Sequence, residues 1–99
     1  MIERMPEALR PLAGELAQAL RGELEGAVRA LHEGDLEAMK ARLHAFKGAA
    51  MRFGLTEVWQ SAARAEQGAG KMLESALREL GALLDELERE TRAEAAGEG

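Results

Sequence analysis

Leu36-Glu37-Ala38-Met39-Lys40-Ala41-Arg42-Leu43-His44-Ala45-Phe46-Lys47-Gly48-Ala49-Ala50-Met51-Arg52-Phe53 is entered through Gly34-Asp35 and left through Gly54. Its apolar residues Leu36, Met39, Leu43, Phe46, Ala50 and Phe53 recur in alternating steps of three and four, which places them along one face of a helix. Aspartate suits an N-cap and glycine suits the end of a helix. The stretch therefore predicts one amphipathic helix over about 35–53, closed by Gly54, with a charged outer face. A helix with a single apolar stripe must bury it against other helices, and the rest of the chain offers three.

Upstream, Leu9, Leu12, Leu16, Leu20, Leu24, Val28 and Leu31 follow the same spacing and predict a helix over about 9–32, with Pro11 suited to its start. Met1 to Ala8, around Pro6, has room for a short lead-in turn or helix. Downstream, Thr56 can cap a third helix over about 57–68, with Glu57 at the positive end of its dipole. The inward line of that helix is Val58, Ala62, Ala65 and Ala69, small residues that let a neighbour come close. Gly68-Ala69-Gly70 breaks the pattern. Leu73, Leu77, Leu80, Leu84 and Leu87 then predict a fourth helix over about 72–92. Ala93 to Gly99 lacks bulky apolar groups and is expected to fray. Short connections make successive helices antiparallel. The predicted architecture is all-α: one up-down-up-down four-helix bundle over residues 1–92.

Composition narrows the function. Ninety-nine residues leave room for one domain. There is no cysteine, which removes disulfides, thiolate metal sites and cysteine nucleophiles. His32 and His44 are the two histidines, so no metal site is expected. The 13 basic residues are scattered among 18 acidic ones, the net charge is −5, and aromatic residues are scarce. Nucleic acid is therefore not an expected partner. No apolar run approaches the roughly 20 residues that span a bilayer. Met1-Ile2-Glu3-Arg4-Met5-Pro6 lacks the charged-then-apolar layout of a signal segment. The expectation is a monomeric cytoplasmic protein with no membrane partner.

The outer face of the central helix carries the chemistry. His44 lies about 100° round from Leu43, outside the buried line. Its helical neighbours are Lys40, Ala41, Lys47, Gly48 and Met51, with Arg52 close by. An imidazole between lysines is an unusual patch on an acidic protein. A neutral imidazole is a nucleophile, and an ordinary histidine, with a pKa of about 6.5, is mostly neutral at pH 7. Lys40 and Lys47 could balance the charge of a phosphoryl group on His44. Gly48 would leave the approach open, although a glycine inside a helix costs about 1 kcal/mol relative to alanine.

A candidate orienting group follows from the hairpin. The turn between the second and third helices centres near Leu55; His44 lies eleven residues before it and Glu66 eleven after. Residues equidistant from an antiparallel turn share a height. A carboxylate at Glu66 could accept a hydrogen bond from His44 Nδ1 and leave Nε2 as the attacking atom. Gln67 is the next candidate for that task.

Taken one at a time, these residues have plainer explanations. His44 reads as a partly exposed helix histidine, the lysines as solvated charges and Glu66 as a surface carboxylate. Gly22, Gly26 and Gly81 also fall inside predicted helices without a function. His32 is explained by its place near a helix C-terminus. Spacing alone stops at a bundle with a phosphate-tolerant histidine patch.

The run His44-Ala45-Phe46-Lys47-Gly48, followed by Phe53-Gly54, resembles the phosphorylation-site signature of the histidine phosphotransfer (HPt) family. Gly34-Asp35-Leu36-Glu37 resembles the turn leading into the site helix of those domains. The resemblance covers about residues 12–92, and the Phe53-Gly54 ending with Glu66 is most similar to the phosphotransfer domains of chemotaxis-type kinases. The third helix is poorer in leucine than is common in the family, and Gln67 to Lys71 is glycine-rich. The resemblance implies that His44 is the phosphoacceptor in a phosphorelay, with Lys47, Gly48 and Glu66 in the site and Lys40, Gln67 and Arg52 secondary. It implies a carrier with no cofactor and no kinase activity of its own. The partners would be a histidine kinase and a response-regulator receiver domain that binds Mg²⁺ itself. The receiver would dock over Ala41, Ala45, Gly48 and Met51. Two alternatives share the resemblance: an adaptor or inhibitor that binds such partners without carrying phosphate, and a phosphotransfer domain cut from a larger kinase.

Overall fold

A computed structural model describes residues 1–97 and is helical throughout, with no strand among the described residues. Two short 3-10 segments, Ile2–Arg4 and Glu7–Leu12, lead into α1 (Ala13–His32), α2 (Leu36–Arg52), α3 (Thr56–Gln67) and α4 (Gly70–Gly97). Each helix packs on the next, and α1 closes the ring against α4. The result is the four-helix bundle expected from the apolar spacing. Its long axis of 45 Å is that of α4, whose 28 residues span about 42 Å at 1.5 Å each.

The core is built from the predicted stripes with local corrections. Leu16, Leu20 and Leu24 of α1, Met39, Leu43, Phe46 and Ala50 of α2, Val58, Ala62 and Ala65 of α3, and Leu73, Leu77, Leu80, Leu84 and Leu87 of α4 are all buried. Leu36 and Leu12 are exposed, and Leu9, Val28, Leu31 and Phe53 are only partly buried. Ala13, Ala17, Ala27 and Ala30 take the inner positions of α1 instead, where small side chains let α1 lie close to its neighbours. Ala69 is exposed because it follows the end of α3.

The ends of the helices differ from expectation in three places. Residues 9–12 form part of a 3-10 segment rather than the start of α1, with Pro11, which has no N–H to donate, inside it. Thr56 is the first residue of α3, and the N-cap is the buried Leu55, which supplies no side-chain bond. The fourth helix begins two residues before the predicted start and runs on to Gly97 rather than ending near 92. Its added turn, Ala93 to Gly97, is exposed and adds nothing to the core, so the helix propensity of its alanines sustains it. The part of the expected frayed tail at 98–99 lies outside the described residues. The lead-in is docked, since Ile2 and Met5 enter the core and the Ile2 amide donates to Glu90 Oε1 at 2.9 Å.

Both ends of α2 are firmly set. Asp35 caps the N-terminus by accepting from the Ala38 amide at 3.0 Å. Before it, Gly34 adopts φ 77° and the Asp35 amide reaches back to Ala30 O, closing α1. The same device closes α2: Gly54 adopts φ 72° and the Leu55 amide bonds Ala50 O. Across the bundle, Arg21 on α1 bonds Asp85 at 2.7 Å and Glu88 at 2.8 Å on α4. Arg42 of α2 crosses α1 to reach Glu23 at 3.2 Å, and Gly26 makes room for it, because a Cβ there would stand 3.1 Å from Arg42 Nε.

Candidate functional site

The α2–α3 seam is lined by Ala50, Val58, Ala62 and Ala65 on its buried side. Small residues at this contact bring the two helices near enough for polar side chains at the edge to meet. His44 stands at that edge, one position round from the buried Leu43, with its side chain 71% exposed. Glu66, next to the buried Ala65, faces it from α3. His44 Nδ1 lies 3.0 Å from Glu66 Oε2, and Lys47 Nζ donates to Glu66 Oε1 at 2.8 Å. One carboxylate thus engages two residues of α2, three apart, with one oxygen for each.

The charge state follows from these contacts. The Lys47 ammonium holds the Glu66 carboxyl below the usual carboxylate range; partial burial opposes this and the His44 hydrogen bond assists it. Glu66 is ionised at neutral pH and can only accept hydrogen bonds. The proton between it and His44 therefore belongs to Nδ1. In the neutral ring Nε2 is left with a free lone pair. The imidazole is held at one nitrogen, while the ring itself is largely open to solvent.

The remaining candidates are placed as follows. Ala41, Ala45 and Met51 are exposed on the outer face of α2 beside His44, and Gly48 is half-buried among them. Among the described residues, a Cβ on Gly48 would meet only Arg52 Nη1, at 3.9 Å, an ordinary contact. No close contact among the described residues requires glycine at that position; the same holds for Gly14, Gly22 and Gly81. Arg52 and Lys40 form no ion pair among the described residues. Lys40 borders a groove at the other end of α2, walled by Val28, Leu31, Met39, Leu73 and Leu77. Gln67 is exposed and borders a surface groove shared with Arg64, Met72 and Glu79. His32 ends α1 and borders that same apolar groove. Spacing alone did not reveal that Lys47 is engaged by Glu66; the signal was present in the i, i+3 relation of His44 and Lys47, which lets one group on a facing helix touch both.

Among the described residues, no group of three or more His, Asp or Glu could hold a metal ion, and no helix is long and apolar enough to cross a membrane. Comparison with curated proteins and with solved structures found no match. A family model does match: that of the Hpt domain, over residues 3–90.

Proposed function

The chain belongs to the Hpt domain family, whose role is histidine phosphotransfer in phosphorelay, and from that premise we propose that His44 accepts the phosphoryl group on Nε2 and exchanges it with a receiver-domain aspartate. The observation that carries this assignment is the bond of Nδ1 to Glu66 on a ring that is otherwise exposed. It presents one nucleophilic nitrogen, in one tautomer, to an incoming partner.

The chemistry balances with this chain's own groups. The Nε2 lone pair forms a bond to phosphorus as the bond from phosphorus to the donor oxygen breaks, and that electron pair leaves with the oxygen. The ring becomes an imidazolium that keeps its Nδ1 proton, and the Glu66 carboxylate beside it offsets the new positive charge. For onward transfer an aspartate oxygen attacks phosphorus and the N–P electron pair returns to Nε2. Glu66 supports both directions without a change in its own protonation. Lys47 secures Glu66. A Mg²⁺ ion bound by the receiver would supply further positive charge for the phosphoryl oxygens.

Ala41, Ala45, Gly48 and Met51 form the docking surface, a small apolar patch with charges at its rim. The open space over Gly48 supports this, because it leaves room beside His44 for a partner to approach. The shared carboxylate and the Phe53-Gly54 ending favour the phosphotransfer domains of chemotaxis-type kinases as the nearest functional type, with a histidine kinase as donor and a cytoplasmic location.

The test is incubation with a phosphorylated receiver domain. Wild-type protein is expected to acquire an acid-labile, base-stable label, and His44→Gln is expected to acquire none while keeping its helical signal. A label retained in that variant would assign the chemistry to another residue. Binding of the receiver with no label on the wild-type chain would favour an adaptor role.

A further inference from the structure

Three cations surround His44 on α2, and the structure gives them different tasks. Lys47 is engaged by Glu66 at 2.8 Å. Lys40 lies four residues before His44, and helical side chains lean toward the N-terminus. Lys40 therefore leans away from the imidazole, and it borders the groove among Val28, Met39 and Leu73. Arg52 lies eight residues after His44, so the same lean carries it toward the ring. Its Nη1 is 3.9 Å from the point where a Cβ of Gly48 would be, which places the guanidinium over Gly48, one turn from His44. Arg52 is exposed and has no ion-pair partner among the described residues.

Building on the reading of His44 as phosphoacceptor, we propose that Arg52 is the residue of this chain that clamps the phosphoryl group, reaching it along the corridor left by Gly48. A guanidinium suits the task, since its planar fork offers paired N–H donors to two oxygens of one phosphoryl group. The side chain starts over Gly48, one helical turn from His44. Arg52 makes and breaks no covalent bond; it balances negative charge on the oxygens while phosphorus passes to or from Nε2. Gly48 then has an internal use as well as an external one, because a long side chain at that position would stand between Arg52 and His44.

The experiment uses the 99-residue chain and potassium phosphoramidate, a donor too small to need a docking surface. The P–N bond of the donor breaks as the Nε2–P bond forms, and ammonia leaves with the electron pair. Labelling rate and the ³¹P resonance of the product are followed for wild type, Arg52→Ala, Arg52→Lys, Lys40→Ala and His44→Gln. Arg52→Ala is expected to label about three- to tenfold more slowly, the range for loss of one partly exposed charge-assisted contact. Its phosphoryl group is expected to take up a proton at higher pH than in wild type, an effect a purely structural role would not produce. Arg52→Lys should recover part of both effects, and Lys40→Ala should show neither. Label on His44 with Arg52→Ala matching wild type in rate and titration would overturn the proposal alone. No label on wild type, or an undiminished label on His44→Gln, would overturn the phosphoacceptor reading and this proposal with it.

Discussion

Glu66 reaches across the α2–α3 seam to Lys47 at 2.8 Å, and its second oxygen faces His44 Nδ1 at 3.0 Å. The lysine and the histidine are therefore linked through a residue that belongs to neither their helix nor their sequence neighbourhood. Removing the shared carboxylate frees the ring to take either tautomer and withdraws the countercharge of the imidazolium. Glu66→Ala is expected to slow labelling of His44 by roughly 10- to 100-fold, as loss of an orienting carboxylate does elsewhere. Lys47→Ala should slow it less, since Glu66 keeps its contact with the histidine. Rates of label uptake, with circular dichroism to verify the fold, test the order; equal rates for wild type and Glu66→Ala would remove the carboxylate from the site.

The same pair makes stability depend on pH. Lys47 holds Glu66, and Arg21 holds Glu88, below the ordinary carboxyl value of 4.5. Below 4.5 the unfolded chain therefore binds more protons than the folded one. The stabilisation from both pairs is complete above that value and is lost as pH falls through the lower folded values. Urea unfolding between pH 7 and pH 3 should show the loss, and Glu66→Gln with Glu88→Gln should flatten the curve on its acid side. An unchanged acid slope in the double variant would count against both pairs.

Gly48 separates folding from function. Among the described residues a Cβ there meets only Arg52 Nη1, at 3.9 Å, so Gly48→Ala should raise stability by about 0.5–1 kcal/mol through helix propensity. The added methyl group also stands on the surface a partner must approach. Transfer to a receiver domain is expected to slow in the variant that folds better. Thermal unfolding beside transfer kinetics tests the divergence, and faster transfer would contradict it.

Ser61 lies fully buried on α3, and its Oγ has no hydrogen-bond partner among the described residues. An unsatisfied hydroxyl in a core costs about 1–3 kcal/mol. Ser61→Ala is therefore expected to raise the thermal midpoint by several degrees, with no change in labelling of His44. Calorimetry on the two proteins decides it; a lowered midpoint would mean that the hydroxyl is satisfied in solution.

Local rules made much of this legible in the residues. Asp35, Gly34 and Gly54 bracket α2 through cap and turn chemistry that acts within a few residues. The leucines of α4 are a complete stripe, and equal spacing about Leu55 was enough to pair His44 with Glu66. What spacing could not supply depends on distance between helices. Leu36 matched the stripe but lines the open groove beside Leu31 and Leu73, which leaves about half of it exposed. Ala27 and Ala30 carry too little apolar surface to be picked out, yet close approach puts them inside. Lys47 looked free for phosphate because its contact with Glu66 exists only once α3 is in place.

Gly34 and Gly54, the left-handed stops around α2, each lie ten residues from His44. Helices open from their ends, so the imidazole rides on the stretch that opens last, and its bearing is a matter of angular phase. One residue inserted on either side would swing it by about 100°, and four would nearly restore the bearing but shift it about 6 Å along the axis. Either change would take it out of reach of Glu66, so the count of residues between the two glycines matters to the site as much as their identity.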